Sequence, residues 1–170
     1  MFRSRADVRS NRLAVMSGWM ILAAVAATSP VATAADQVPA EKQTTLGLYV
    51  TAKEAYERWE AAPDKVKIID VRTPEEVFWV GHPPMAWKIP VVAVTYEWDA
   101  DKKQFPMRPL PDFVTRVQKV ATPDDTLMVM CRSGGRGAMA VNLLAKAGYR
   151  NVYNVIDGME GDSVDDPDSV

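Results

Sequence analysis

The chain has 170 residues, 48% of them hydrophobic and 25% charged, with a formal net charge of -2, one cysteine and one histidine. That apolar fraction is too high for a disordered chain, and the length suits one domain with a short extension. A lone cysteine excludes an internal disulfide and, with a lone histidine, a cysteine-rich zinc site; the near-neutral charge gives no electrostatic case for nucleic-acid binding.

Residues 1–12 carry Arg3, Arg5, Arg9 and Arg12 against one acid, Asp7. An apolar run, Leu13 to Ala27, follows, and then the small-residue sequence Val31-Ala32-Thr33-Ala34-Ala35. This order predicts a secretory signal peptide over residues 1–34, cut after Ala34, in a run too short for the roughly 20 residues of a membrane span. Cleavage would remove four of the 20 basic and one of the 22 acidic residues, leaving 16 against 21 and a net charge of -5. The expected location is the periplasm or the exterior, with no stable membrane span in the mature chain.

Residues 35–50 read as a mobile leader. Thr51-Ala52-Lys53-Glu54 is a capping box, which predicts a helix carrying Tyr56 and Trp59 on one face and closed by Pro63. Val66 to Val71 is a β-branched run, read as a strand. Thr73-Pro74-Glu75-Glu76 repeats the helix-start signature, with proline at the first helical position. Ala86 to Val94 reads as strand and then loop around Pro90, and Asp99 to Pro111 as an exposed connection. Asp112 opens an amphipathic helix with Phe113, Val114, Val117 and Val120 inward. Thr122 to Asp125 is a turn, and Thr126 to Met130 a strand buried on both faces, with Met128 and Met130 as core filler. A helix over Gly137 to Ala147 ends at Gly148, and Val152 to Ile156 is the last strand. The tail, residues 162–170, is acidic; it lacks calcium-loop spacing and reads as solvated. Alternating helices and short apolar strands predict an α/β fold, an open parallel sheet of about five strands with helices on both faces.

The loop after Met130 is Cys131-Arg132-Ser133-Gly134-Gly135-Arg136-Gly137. In an open parallel sheet, ligands bind at that carboxyl end of a strand. Three glycines allow a tight turn that aims several backbone N–H groups inward, while a helix N-terminus, Arg132 and Arg136 add positive charge. These features favour a thiolate on Cys131 and the approach of a small anion.

The loop resembles the active loop of the rhodanese sulfurtransferases. A second stretch agrees: Asp70-Val71-Arg72-Thr73-Pro74-Glu75-Glu76, followed by Phe78 to Pro90 with Gly81, His82, Ala86 and Ile89, is similar to that family's opening signature. The resemblance covers residues 51–161. It departs from the usual pattern at Pro83 and Met85, and the segment Trp98 to Pro111 looks long for the family.

The resemblance implies a rhodanese-like fold and a two-step exchange. Cys131 would take the outer sulfur of an anionic donor such as thiosulfate, hold it as a persulfide, and pass it to a thiol or cyanide. Arg132, Ser133, Gly134, Gly135, Arg136 and Gly137 would bind the donor, the two arginines orienting it. Asp70, Arg72 and His82 would be supporting residues; no cofactor or metal is called for. Two rivals stand beside this reading. One is a cysteine phosphatase or arsenate reductase, whose loops place arginine after five intervening residues, where Arg136 follows Cys131 after four. The other is a persulfide carrier or binding module that docks on a periplasmic redox protein through the aromatic segment around Trp98 and Phe105.

Overall fold

Parallel strands joined through helices make up the centre of the molecule, which a computed structural model describes over residues 38–161. The expected signal peptide and acidic tail lie outside the described residues. The main sheet has five strands in the order β1-β7-β6-β2-β3: β1 Tyr49–Val50, β2 Val66–Asp70, β3 Trp87–Lys88, β6 Thr126–Met130 and β7 Val152–Val155, every pair parallel. The central pair runs Val66 opposite Thr126 through Asp70 opposite Met130, so the tips of β2 and β6 end together. That register brings Asp70 and Cys131 together at the carboxyl end of the sheet.

Alternation along the strands sorts the core into two layers. Ile69, Leu127 and Val129 face one side, where they pack with Phe113 and Val117 of α3 (Phe113–Val117) and Val141 and Leu144 of α4 (Gly135–Lys146). Ile68, Met128 and Met130 face the other, against Ala55 and Trp59 of α1 (Ala52–Ala61). The two methionines are buried in the core as expected.

Both capping boxes form. Thr51 and Glu54 exchange hydrogen bonds at the start of α1, and Thr73 and Glu76 do so at the start of α2 (Pro74–Val80), with Pro74 in its first turn. Two segments differ from the sequence reading. Residues 38–50, expected as a mobile leader, are docked: Val38 is buried, Ala40–Lys42 makes a 3-10 turn, and β1 pairs with β7. The edge of β7 offers unpaired backbone groups that a strand must cover, and Tyr49–Val50 covers them.

The second difference is the stretch expected as an exposed connection. It folds back as a hairpin in which β4 (Val92–Val94) pairs antiparallel with β5 (Met107–Pro109), and Asp99 bridges Gln104 farther out. Prolines 106 and 109 obscured its strand signature, yet an edge strand of three residues tolerates them. α3 is shorter than predicted, and Asp112 bonds the Arg116 side chain instead of capping the helix amides.

Candidate active site

Cys131 follows the last residue of β6 and is 1% exposed. The chain turns at Gly134 and enters α4 at Gly135, two residues earlier than the sequence suggested. Gly134 lies in the left-handed region at φ 96°, which lets its N–H point back at Cys131 Sγ, 3.1 Å away. A Cβ there would also meet the Ile156 carbonyl oxygen at 2.5 Å, so glycine is required both by conformation and by space. Backbone N–H donation and the positive end of a 12-residue helix therefore converge on the sulfur.

A cavity of about 320 Å³ opens above the sulfur, lined by Glu76, Met107, Cys131, Arg132, Ser133, Gly135 and Arg136. Gly137 does not line it. It packs behind the loop, where a Cβ would collide with Asn154 Oδ1. Arg132 is 61% exposed in its side chain and stands 3.8 Å from Glu160. Arg136 is engaged: its Nη1 and Nη2 donate to Glu76 Oε2 and Oε1, both at 2.6 Å. This hydrogen bond, foremost, raises the Arg136 pKa against the opposing effect of burial. Burial pushes the Glu76 carboxyl up, but the Arg136 guanidinium and the Thr73 amide outweigh it and hold the group below its ordinary value.

Asp70 and Arg72 form a fully buried pair, with Arg72 Nη2 2.7 Å from Asp70 Oδ2. The same Nη2 donates to the Gly81 carbonyl at 2.8 Å, tying the tip of β2 to the turn after α2. The pair braces the site without lining its cavity. His82 is exposed, with Nδ1 3.1 Å from the Pro83 carbonyl oxygen, and it lines a separate cavity of about 640 Å³ with Arg72, Phe78 and Lys88. It is not part of the sulfur pocket.

Four contributors escaped sequence reasoning. Glu76 announces itself only as a helix-start residue; its partner is 60 positions away. Met107 reaches the cavity because the hairpin carries it there. Asn154 and Lys42 hold the loop from behind: Asn154 Nδ2 donates to the carbonyls of Gly134 (3.1 Å) and Lys42 (3.0 Å), and Lys42 Nζ to that of Ile156 (3.0 Å). A fully polar Asn inside an otherwise apolar last strand was the one available signal. Among the described residues no group of three or more His, Cys, Asp or Glu could hold a metal ion, and no helix is long and apolar enough to cross a membrane.

Comparison with known proteins decides the family. The rhodanese-like domain matches residues 51–163. The chain belongs to the rhodanese-like family. Its relatives include an uncharacterized protein of Rickettsia prowazekii, 32% identical over 98 residues, which are 58% of this chain and 72% of that protein. Another is the chloroplastic thiosulfate sulfurtransferase 16 of Arabidopsis thaliana, 33% identical over 92 residues, 54% of this chain and 69% of that one. Among solved structures, a rhodanese-like domain protein from Staphylococcus aureus aligns with 68% of this chain and 93% of its own at 24% identity, with a TM-score of 0.47. The five-stranded parallel sheet and its helices are the fold of this rhodanese-like domain.

Proposed function

We propose that the protein is an exported sulfurtransferase that carries sulfane sulfur from a donor to a thiol or cyanide acceptor through a persulfide on Cys131. The observation that carries this reading is the Gly134 N–H held 3.1 Å from Sγ at the head of α4. A donated hydrogen bond of this kind stabilises a sulfur anion, which is the nucleophile in the first step and the cargo in the second. The Cys131 thiolate attacks the outer sulfur of the donor, a new Sγ–S bond forms, and the bond from that sulfur to the rest of the donor breaks, the remainder leaving with the electron pair. An acceptor thiolate then takes the outer sulfur and returns the Cys131 thiolate. No general base is needed, and none lines the cavity other than Glu76, which is tied to Arg136.

Export rests on the basic, apolar and small-residue order of residues 1–34. A carrier that delivers sulfur to a partner is the second reading. It is favoured by the hairpin beside the cavity, where Trp98 and Phe105 stack edge-on at 5.3 Å while remaining 57% and 49% exposed.

The test is intact mass spectrometry after incubation with a sulfane-sulfur donor, comparing wild type with Cys131→Ser. Wild type should gain one labile sulfur atom and the variant none. A wild type that takes sulfur from no donor overturns the covalent mechanism, and sulfur gained without turnover on cyanide or small thiols selects the carrier.

A further inference from the structure

Helix α2 borders two cavities. Glu76 lines the one above Cys131, whereas Pro74, Val77 and Phe78 wall the second, of about 640 Å³, which shares no lining residue with the first. Its volume and its largely apolar wall, completed by Pro90, are those of a small-molecule site. Phe78 is 76% exposed, so a large aromatic face stands uncovered at its edge.

The charged groups of this cavity carry one sign. Arg72 and Lys88 line it, and no acidic residue among the described ones does. Lys88 ends β3 at the margin of the sheet, and its ammonium makes no hydrogen bond or ion pair with any described residue. Arg72 spends Nε and Nη2 on Asp70 and the Gly81 carbonyl, but its Nη1 is buried and bonds no described residue. A buried guanidinium nitrogen without an acceptor forfeits a charge-assisted hydrogen bond. An apolar cavity thus carries one unanswered donor and one cation without a counterion.

We propose that this cavity binds a small amphipathic carboxylate, an aromatic or alicyclic body with a single anionic head. The site is separate from the sulfur and does not rest on the sulfur-transfer reading. The body covers Pro74, Val77, Phe78 and Pro90, while the carboxylate is drawn to Lys88 and supplies the acceptor that Arg72 Nη1 lacks. A neutral molecule of the same shape fills the walls but leaves the Lys88 charge unmatched. A multiply charged anion brings more charge than one free ammonium offsets, because the Arg72 charge is already met by Asp70. Binding is non-covalent, and no bond is made or broken.

The experiment is isothermal titration calorimetry of the full chain with 2-naphthoate and with 2-naphthalenemethanol, which keeps the rings but has a neutral head. Wild type should bind one equivalent of the acid, at least about tenfold more tightly than the alcohol. Lys88→Gln should remove most of that preference and leave the affinity for the alcohol unchanged, whereas Phe78→Ser should weaken both ligands. Both side chains are exposed, so neither variant removes a core contact. Cys131→Ser should bind as wild type does. Absence of saturable binding, equal affinities for acid and alcohol, or an unchanged preference in Lys88→Gln overturns the proposal. Affinities untouched by Phe78→Ser do so as well. Binding lost in Cys131→Ser would place the ligand in the sulfur cavity and overturn it too.

Discussion

Asn154, on β7, donates its side-chain amide to the Gly134 carbonyl at 3.1 Å and so fixes the residue whose own N–H faces the sulfur of Cys131. The contact is fully buried, and the same amide also holds the carbonyl of Lys42. One side chain thereby locks the Cys131 loop to the last strand and to the segment before the first.

Replacing Asn154 with Ala should therefore act on stability and on the sulfur together. Two buried carbonyls lose a donor, at a cost of about 1–3 kcal/mol each when no water replaces it. The Gly134 carbonyl keeps the Ala138 N–H at 3.0 Å, which places the total near the lower end. Urea denaturation should show a loss of about 2 kcal/mol, and alkylation of Cys131 should change rate in the folded variant. An unchanged rate would mean that the loop does not depend on this brace.

A chain that begins at Thr51, where the family match begins, should be a worse protein than one that begins at Asp36. It loses β1, which leaves the edge of β7 unpaired, and it loses the bond from Lys42 Nζ to the Ile156 carbonyl. Thermal unfolding and Cys131 loading should both fall in the shorter chain. Equal midpoints and rates would show that residues 38–50 are dispensable.

The Asp70–Arg72 pair has no solvent exposure in either side chain. Breaking such a pair from one side leaves a buried charge without its counterion and costs about 3–5 kcal/mol. Arg72 carries a raised pKa, chiefly through its hydrogen bond to Asp70; without that bond the guanidinium still stays protonated, as arginine does throughout proteins. Asp70→Asn should lower the unfolding free energy from urea denaturation by that amount, a larger loss than Asn154→Ala. A loss under about 1 kcal/mol would place the pair among contacts that water readily replaces.

The Glu76–Arg136 pair gives stability a pH dependence with a fixed sign. The Glu76 carboxyl sits below its ordinary value of 4.5 in the folded chain. Its stabilisation is therefore complete above the unfolded value and disappears as pH falls through the folded one. The stability difference between wild type and Glu76→Gln should be constant near neutrality and shrink below about pH 4.5. Urea titrations at several pH values measure it, and a difference that grows on acidification would contradict the pairing.

Where the sequence was legible, the signal was local. Thr51 and Glu54, or Thr73 and Glu76, lie three positions apart, and their caps follow from that spacing alone. The apolar strand, the glycines and the two arginines around Cys131 likewise sit within one short stretch, and they carried both the family and the sulfur. Tertiary pairings were not legible. Glu76 meets Arg136 across 60 residues, and Asn154 meets Lys42 across 112. Pattern alone also misread residues 38–50, because a two-residue strand has too little alternation to register. The hairpin of Met107 was hidden by prolines that its edge position permits.

The 1% exposure of Cys131 means that entry is judged by width. A terminal sulfur on a thin chain can end at Sγ, whereas the flanked, substituted sulfurs of a bulky disulfide are kept at a distance. A second copy of the chain is kept away in the same manner, since two buried thiols cannot close the short Cα separation that a disulfide bond needs. The pocket thus protects its single thiol from cross-linking by shape, leaving it open to one kind of visitor, a sulfur atom with nothing beyond it.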